Sequence, residues 1–539
     1  MRIWDKYLKC KEYAEKKRIT QNVNEQWNFY NDKQWEGLES GGEILPFFNF
    51  IKPITRYKVA TVCSNNMTAN YSDLQSRPEY EEVYKKLNED FAANWERANM
   101  DRQSWLAVKI AAIEGDSYTY FGDENMKDID VLGETEVLFG DEQCSDIQTQ
   151  PYIIIRERLD VKDIRRIAEE NGLPREEIDS IVSDKENEYL VGNKDDVDDD
   201  AKATALVYYE RIDGVVHMAR AVQTCEFVPL HPIKYTVRGD YEGAGLKYYP
   251  FVKFQWENQP NNARGCSEVR SHIPNQIKEN QVLAQRAIAV AQCSYPKMAY
   301  DSTAVMNPEA IDTIGGVIEV QGGIGRVGDM VGYLNPATIS NDSASLSNDL
   351  REVTRELAGA SEATLGQIDP TRVAASAIAA LKDSSSVNIN EQVSGFKQYV
   401  EDIARLWIPL QIVYAPQKLE ELFADVNSAN AAQGIPPIQL SDIEKLEPDI
   451  RVDVSQDTPW TKEARQQTLD NLLQQQQITF EEYVQLLPEN SIVPKNELLK
   501  VMSKRQLQQA EMAQQQMAQQ PEQQEMAQMP PEEEPPEEE

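Results

Sequence analysis

Between Ser267 and Val413 two helical stretches enclose a glycine-rich insert, and a much longer helix follows a polar loop. Ser267–Cys293 places Ile273, Ile277, Leu283, Ile288 and Val290 among many alanines, at helical spacing. Residues 295–343 are rich in glycine, β-like, and bounded by Pro296 and Pro336. A short helix over Ala344–Leu357 comes next, then the polar loop Gly359–Arg372. The longest helical pattern, Val373–Val413, carries Ile378, Leu381, Val393, Phe396, Val400, Ile403 and Trp407. Two helices flanking a β-rich excursion predict a rod with a small separate domain at its end.

The remainder is mixed, and the fold class expected is α+β. Residues 1–35 read as a helix with the aromatic cluster Trp27, Phe29, Tyr30 and Trp35, and 47–66 are apolar with Lys52, Arg56 and Lys58 interspersed. The spacing of Leu106, Ile110 and Ile113 predicts one long helix over Val83–Glu114, ended by Gly115. Strands are expected in 117–122, 135–140, 151–159, 205–222 and 248–256, with a small helix over Val161–Asn171 closed by Gly172. A helical hairpin is expected over Thr461–Met502. No repeat of 20–50 residues is visible. The 539 residues correspond to roughly three or four domain-sized units.

Charge narrows the function. The formal net charge is −36, and the nine glutamates of the Gln-, Pro- and Met-rich segment 506–539 leave −27 on residues 1–505. Tight nucleic-acid binding needs clustered Lys and Arg, so the acidic balance argues against a groove-reading DNA binder, whereas transient passage of DNA is compatible. Segment 506–539 lacks the apolar content to fold alone. The six cysteines form no CxxC pair, the N-terminus lacks an apolar signal core, and no apolar run reaches membrane-spanning length. A soluble intracellular product with reduced thiols is expected.

Catalytic and cofactor motifs fail on their context. Gly323-Ile324-Gly325-Arg326-Val327-Gly328 matches GxGxxG, but a dinucleotide site needs a helix opening at the third glycine, and Gly332 and Pro336 oppose one. Hairpin turns are expected there. Asp195, Asp196, Asp198, Asp199 and Asp200 lack the turn glycine and terminal glutamate of a calcium loop, with Ala201 and Val207 at those positions, so they read as a solvated acidic loop. His217, His231 and His272 stand in three separate segments with no metal or nucleophile motif, which favours structural roles. No catalytic residue, metal site or cofactor is expected. The loop 359–372, with Ser361, Glu362, Thr364, Gln367 and Asp369 and only Arg372 as a cation, is either an ordinary helix connection or a mobile loop presented to a passing ligand.

Several strings occur in an order that resembles the portal proteins of tailed bacteriophages, the head-to-tail connector rings. They are Trp27-Asn28-Phe29-Tyr30-Asn31-Asp32-Lys33-Gln34-Trp35, Asn49-Phe50-Ile51-Lys52-Pro53-Ile54, and Ile113-Glu114-Gly115-Asp116-Ser117-Tyr118. Gly265-Cys266-Ser267-Glu268 with Ile273-Pro274-Asn275-Gln276 and Asn280 follows, then Thr364-Leu365-Gly366-Gln367 with Asp369-Pro370 and Ala375–Leu381, and finally Thr458–Ala464. The resemblance covers about residues 20–505.

It implies a portal fold with a wing (1–265 and 373–458), a helical stem (266–294 and 344–358), a small β-rich clip (295–343), a tunnel loop (359–372) and a helical crown (459–505), followed by the acidic tail 506–539. It further implies a homo-dodecameric ring at the portal vertex of a capsid in the virion, made in the host cytoplasm. Double-stranded DNA would pass through the channel past Ser361, Glu362, Thr364 and Gln367. Partners would be the terminase motor, the major capsid protein and tail adaptor proteins, with no membrane. The alternatives are another capsid or tail adaptor ring, or a nucleotide-cofactor oxidoreductase using Gly323–Gly328.

Overall fold

The computed structural model describes residues 2–35, 46–72, 80–122, 129–184, 202–234, 245–294, 298–310, 317–321, 331–333, 342–357, 389–433, 449–456, 468–475, 477 and 483. They fall into two units, 1–455 and 456–539. In the first, the order is α1 (Ile3–Lys16), α2 (Ile19–Tyr30), α3 (Ile51–Cys63), β1 (Asn65–Ser72), α4 (Glu81–Arg97), α5 (Met100–Glu114), β2 (Asp116–Phe121), β3 (Ile129–Gly133), β4 (Val137–Phe139) and β5 (Tyr152–Asp160). Next come α6 (Val161–Glu170), α7 (Arg175–Asp179), β6 (Lys202–Ile212), β7 (Val215–Ala221), β8 (Val228–Pro232), β9 (Phe251–Gln255) and α8 (Glu268–Ser294). The short strands β10 (Met298–Tyr300) and β11 (Val331–Tyr333) precede α9 (Asp342–Leu357), α10 (Asn390–Tyr414), α11 (Pro416–Gln433) and β12 (Asp449–Gln456). In the second unit the described residues include a helical turn pair over 468–474, where the Tyr483 hydroxyl donates to Asp470 at 2.7 Å.

The expected α+β class is what the structure shows, with all pairings of its two larger sheets antiparallel. The five-stranded sheet has the order β4-β5-β6-β7-β8, and the three-stranded sheet β3-β2-β9. The continuous apolar run Ile153-Ile154-Ile155 marks a strand buried on both faces. Because side chains alternate, Ile154, Leu206 and Tyr208 meet Tyr7, Cys10 and Ala14 of α1, whereas Ile153, Ile155, Val207 and Tyr209 face the main core. That core is closed by α10, whose Trp407 packs edge-on against Phe91 and Phe121, with ring centroids 5.5 and 6.1 Å apart. Tyr399 of α10 shares a 2.6 Å hydroxyl hydrogen bond with Thr119 of β2.

Two single helices expected from periodicity are each a pair. Residues 1–35 break at Arg18 (φ 57°), and 83–114 break at Asn99 (φ 50°). Periodicity cannot register one residue in the left-handed region, and asparagine tolerates that conformation. Gly115 (φ 118°) and Gly172 (φ 75°) do terminate their helices. The stretch 416–433, not resolved into an element from the sequence, is α11, and β1 and β12 form a two-stranded sheet.

In the insert, β10 and β11 pair antiparallel and Val305 bridges Val320. Gly323–Gly328 lies outside the described residues, but Val331–Tyr333 just beyond it is a strand, where a dinucleotide fold needs a helix. The acidic run 195–200 and residues 373–388 of the expected longest helix also lie outside the described residues. Among the described residues no helix is long and apolar enough to cross a membrane.

Candidate functional site

The foot of α8 is where the sequence strings converge. α8 has 27 residues, about 40 Å at 1.5 Å per residue. Its N-terminus is held by Ser267, whose hydroxyl donates to the Ile113 carbonyl at 2.5 Å and accepts from the Arg270 amide at 3.3 Å. Two glycine backbones meet beside it. A Cβ on Gly265 would lie 2.9 Å from the carbonyl oxygens of both Gly115 and Glu257, and one on Gly115 would lie 2.9 Å from the Gly265 oxygen. The Trp256 amide donates to Gly115 (3.0 Å) and the Gly265 amide to the Asp116 carboxylate (2.9 Å). Any side chain at residue 265 would force this crossing apart.

A polar ladder ties the N-terminal strings to α8. Gln34 accepts from Asn280 (2.6 Å), whose Oδ1 accepts from Gln276 (2.9 Å). Gln276 donates to the Phe48 carbonyl (2.8 Å) and accepts from the Phe50 amide (3.1 Å). Asn49 donates to the Phe29 carbonyl (2.9 Å) and to Asp32 (2.8 Å). Gln276 is fully buried, so each of these bonds satisfies a group that would otherwise be costly to desolvate.

Two buried charge clusters flank the ladder. In the first, Glu268 receives Lys58 at 2.6 Å, His272 Nε2 lies at 2.8 Å, and Trp256 Nε1 donates at 3.0 Å. Burial alone would raise this carboxyl; the His272 hydrogen bond and the Lys58 charge overcome it and hold it at about 2. In the second, Arg264 donates to both oxygens of Glu142 (2.9 and 3.0 Å) and to the carbonyls of Glu134 (2.8 Å) and Val137 (3.2 Å). Glu114, the last residue of α5, accepts from Trp27 Nε1 (2.8 Å) and the Glu134 amide (2.7 Å). Burial pushes Glu114 up to about 7 and Glu134 up to about 8, and raises Asp116 and Glu136 as well. Acids outnumber cations here: Arg264 and Lys253 act on Asp116, Arg264 on Glu134 and Arg156 on Glu136, so the carboxylates cannot all ionise without mutual repulsion.

Above the foot, α8 and α9 form a pair. Glu279, with no exposed surface, accepts from Ser347 (2.8 Å) and Arg351 (2.6 Å), and Asn275 donates to Thr354 (3.1 Å). The Arg351 guanidinium also stacks 4.6 Å from the Phe48 ring centroid.

The predicted channel residues Ser361, Glu362, Thr364 and Gln367 lie outside the described residues. The histidines make local bonds: His217 to the Val215 carbonyl (3.1 Å), His231 to the Pro229 carbonyl (2.9 Å), and His272 to Glu268. Sequence reasoning missed Arg264, Glu134, Glu142 and Glu279, which no spacing groups together.

The described residues thus form a helix pair rooted by buried polar contacts in a mixed α+β body, with a β-paired excursion between its helices. Residues 149–535 match the model of the phage P22-like portal protein family, and the chain belongs to that family of head-to-tail connector proteins of the capsid's portal vertex. No match is found among curated proteins. Similar solved structures include a chain from the neck of an empty GTA particle (TM-score 0.31, 11% identity, 82% of this chain and 90% of that one). Another comes from the virion of a native gene transfer agent particle (TM-score 0.26, 11% identity, 72% and 91%).

Proposed function

We propose that the chain is the subunit of a closed ring, twelvefold by the portal resemblance, that passes double-stranded DNA during packaging and ejection. The match of residues 149–535 to a portal family carries this reading. In it, α8 and α9 are the stem, 295–343 the clip, 1–265 and 373–458 the wing and 459–505 the crown. The ring docks the terminase motor, sits among major capsid subunits and later joins tail adaptors, leaving ATP hydrolysis to the motor.

The acidity of the body supports a conduit. Each Lys–phosphate contact releases counterions and strengthens adhesion, whereas an acidic wall repels phosphate and lets the duplex slide. In this reading the resemblance assigns Ser361, Glu362, Thr364 and Gln367 of 359–372 to the channel. Negative-stain imaging of the purified full chain tests the reading: twelvefold rings with a central channel are expected, and small globular monomers would overturn it.

A further inference from the structure

The outer side of α5 is unlike the rest of this acidic chain. Met100, Ala107, Val108, Ala111 and Ala112 of α5 are buried inward, yet Trp105 and Leu106 on the outer side remain 45% and 37% exposed. The Lys109 ammonium lies 5.9, 5.8 and 6.0 Å from the ring centroids of Trp27, Tyr30 and Trp105, which gathers the three aromatics around one cation. Lys52 lies 5.8 Å from the same Tyr30 ring.

Lys52 pairs with Asp32 at 2.6 Å, and Arg56 also acts on that carboxylate from a greater distance. Asp101 accepts from Trp95 (2.7 Å). Among the described residues no carboxylate lies within ion-pair distance of Arg56, Arg102 or Lys109. The result is a net-positive, aromatic-rich surface on a chain of charge −36.

We propose that this α5 surface is a contact by which one copy of the chain docks on an acidic face of a second copy, head to tail. The inference rests on the ring reading and names an interface within it. Two copies of a positive patch repel when placed face to face, so a two-fold contact is disfavoured. The excess acid elsewhere on the chain supplies a complementary, different face, and such heterologous contacts close into rings. Exposed Trp and Arg are the residue types that anchor interface centres. The rival occupant is duplex DNA, which the cations alone would suit. The exposed Leu106 and Trp105 favour protein, because apolar surface finds no counterpart on a phosphate backbone.

The test uses the full chain with a photoreactive benzophenone amino acid in place of Trp105, irradiated with and without linear duplex DNA. A covalent adduct of two chains is expected, and it should disappear at concentrations too low for rings. In parallel, the double variant Trp105→Ala, Lys109→Glu, checked by circular dichroism for native helix content, should need at least about tenfold more protein to form rings by sedimentation. Wild-type-like assembly of that folded variant, rings without the adduct, or cross-linking mainly to DNA would overturn the inference while leaving the ring intact. A wild type that stays monomeric at every concentration would overturn the ring reading and the interface with it.

Discussion

At the scale of single residues, the buried acids beside Arg264 make stability depend on pH in an unusual direction. Glu114 has its carboxyl raised from 4.5 to about 7, so the folded chain holds a proton that the unfolded chain has released. Folding is therefore favoured by this group at low pH, and its contribution is lost as pH rises through the window from about 4.5 to about 7. The slope is at most about 1.4 kcal/mol per pH unit. Glu114→Gln keeps a neutral, hydrogen-bonding group and should flatten that slope. Urea unfolding of both proteins from pH 5 to 8.5 checks this, and parallel curves would refute it. The sign is opposite for Glu268, whose carboxyl is held near 2 and which stabilises above the normal carboxylate range. Gly265 makes a steric prediction. A methyl group there meets two backbone oxygens at 2.9 Å, so Gly265→Ala should cost about 1–3 kcal/mol, read as a lowered midpoint in the same unfolding assay.

At the scale of elements, α8 and α9 lean on each other through a polar seam. Glu279 has no exposed surface and holds Ser347 and Arg351 together, so Glu279→Ala strands two donors and removes the acceptor between the helices. Hydrogen exchange at 342–357 should accelerate by roughly tenfold or more, corresponding to about 1.4 kcal/mol or more, while β5 and β6 keep their protection. Unchanged exchange in α9 would mean that apolar packing alone sustains the pair. Much at this scale was legible beforehand. The strands with alternating or continuous apolar residues, the helix over 268–294 and the stops at Gly115 and Gly172 follow from local pattern. The breaks at Arg18 and Asn99 do not, because a single left-handed residue leaves the surrounding hydrophobic period intact.

At the scale of the whole molecule, the prediction concerns grip. If the proposed conduit is right and Glu362 lines it, the channel should hold linear duplex weakly. Glu362→Lys, repeated around a ring, converts repulsion into counterion-releasing contacts. Rings of this variant should bind duplex more tightly and with a steeper salt dependence than wild type, and particles built with it should package less DNA. Equal binding, salt slope and packaging yield would remove Glu362 from the channel. The net charge argues against a DNA binder of the groove-reading kind and is compatible with DNA as cargo.

The sequence by itself determined the α+β class, the helix–insert–helix order and the acidity, because each depends on local period or on simple counts. It also contained, as separate strings, the residues around 27–35, 49–54, 113–118 and 265–280. Only the tertiary structure decided that these strings form one junction, with Gln34 reaching Asn280 and Gly115 lying against Gly265. Contacts that span 149 to 246 residues are set by packing of the whole core, and no local pattern encodes them. The same holds for charge: Arg264, Glu134 and Glu142 are ordinary surface residue types in sequence, and burial beside one another is what shifts their chemistry.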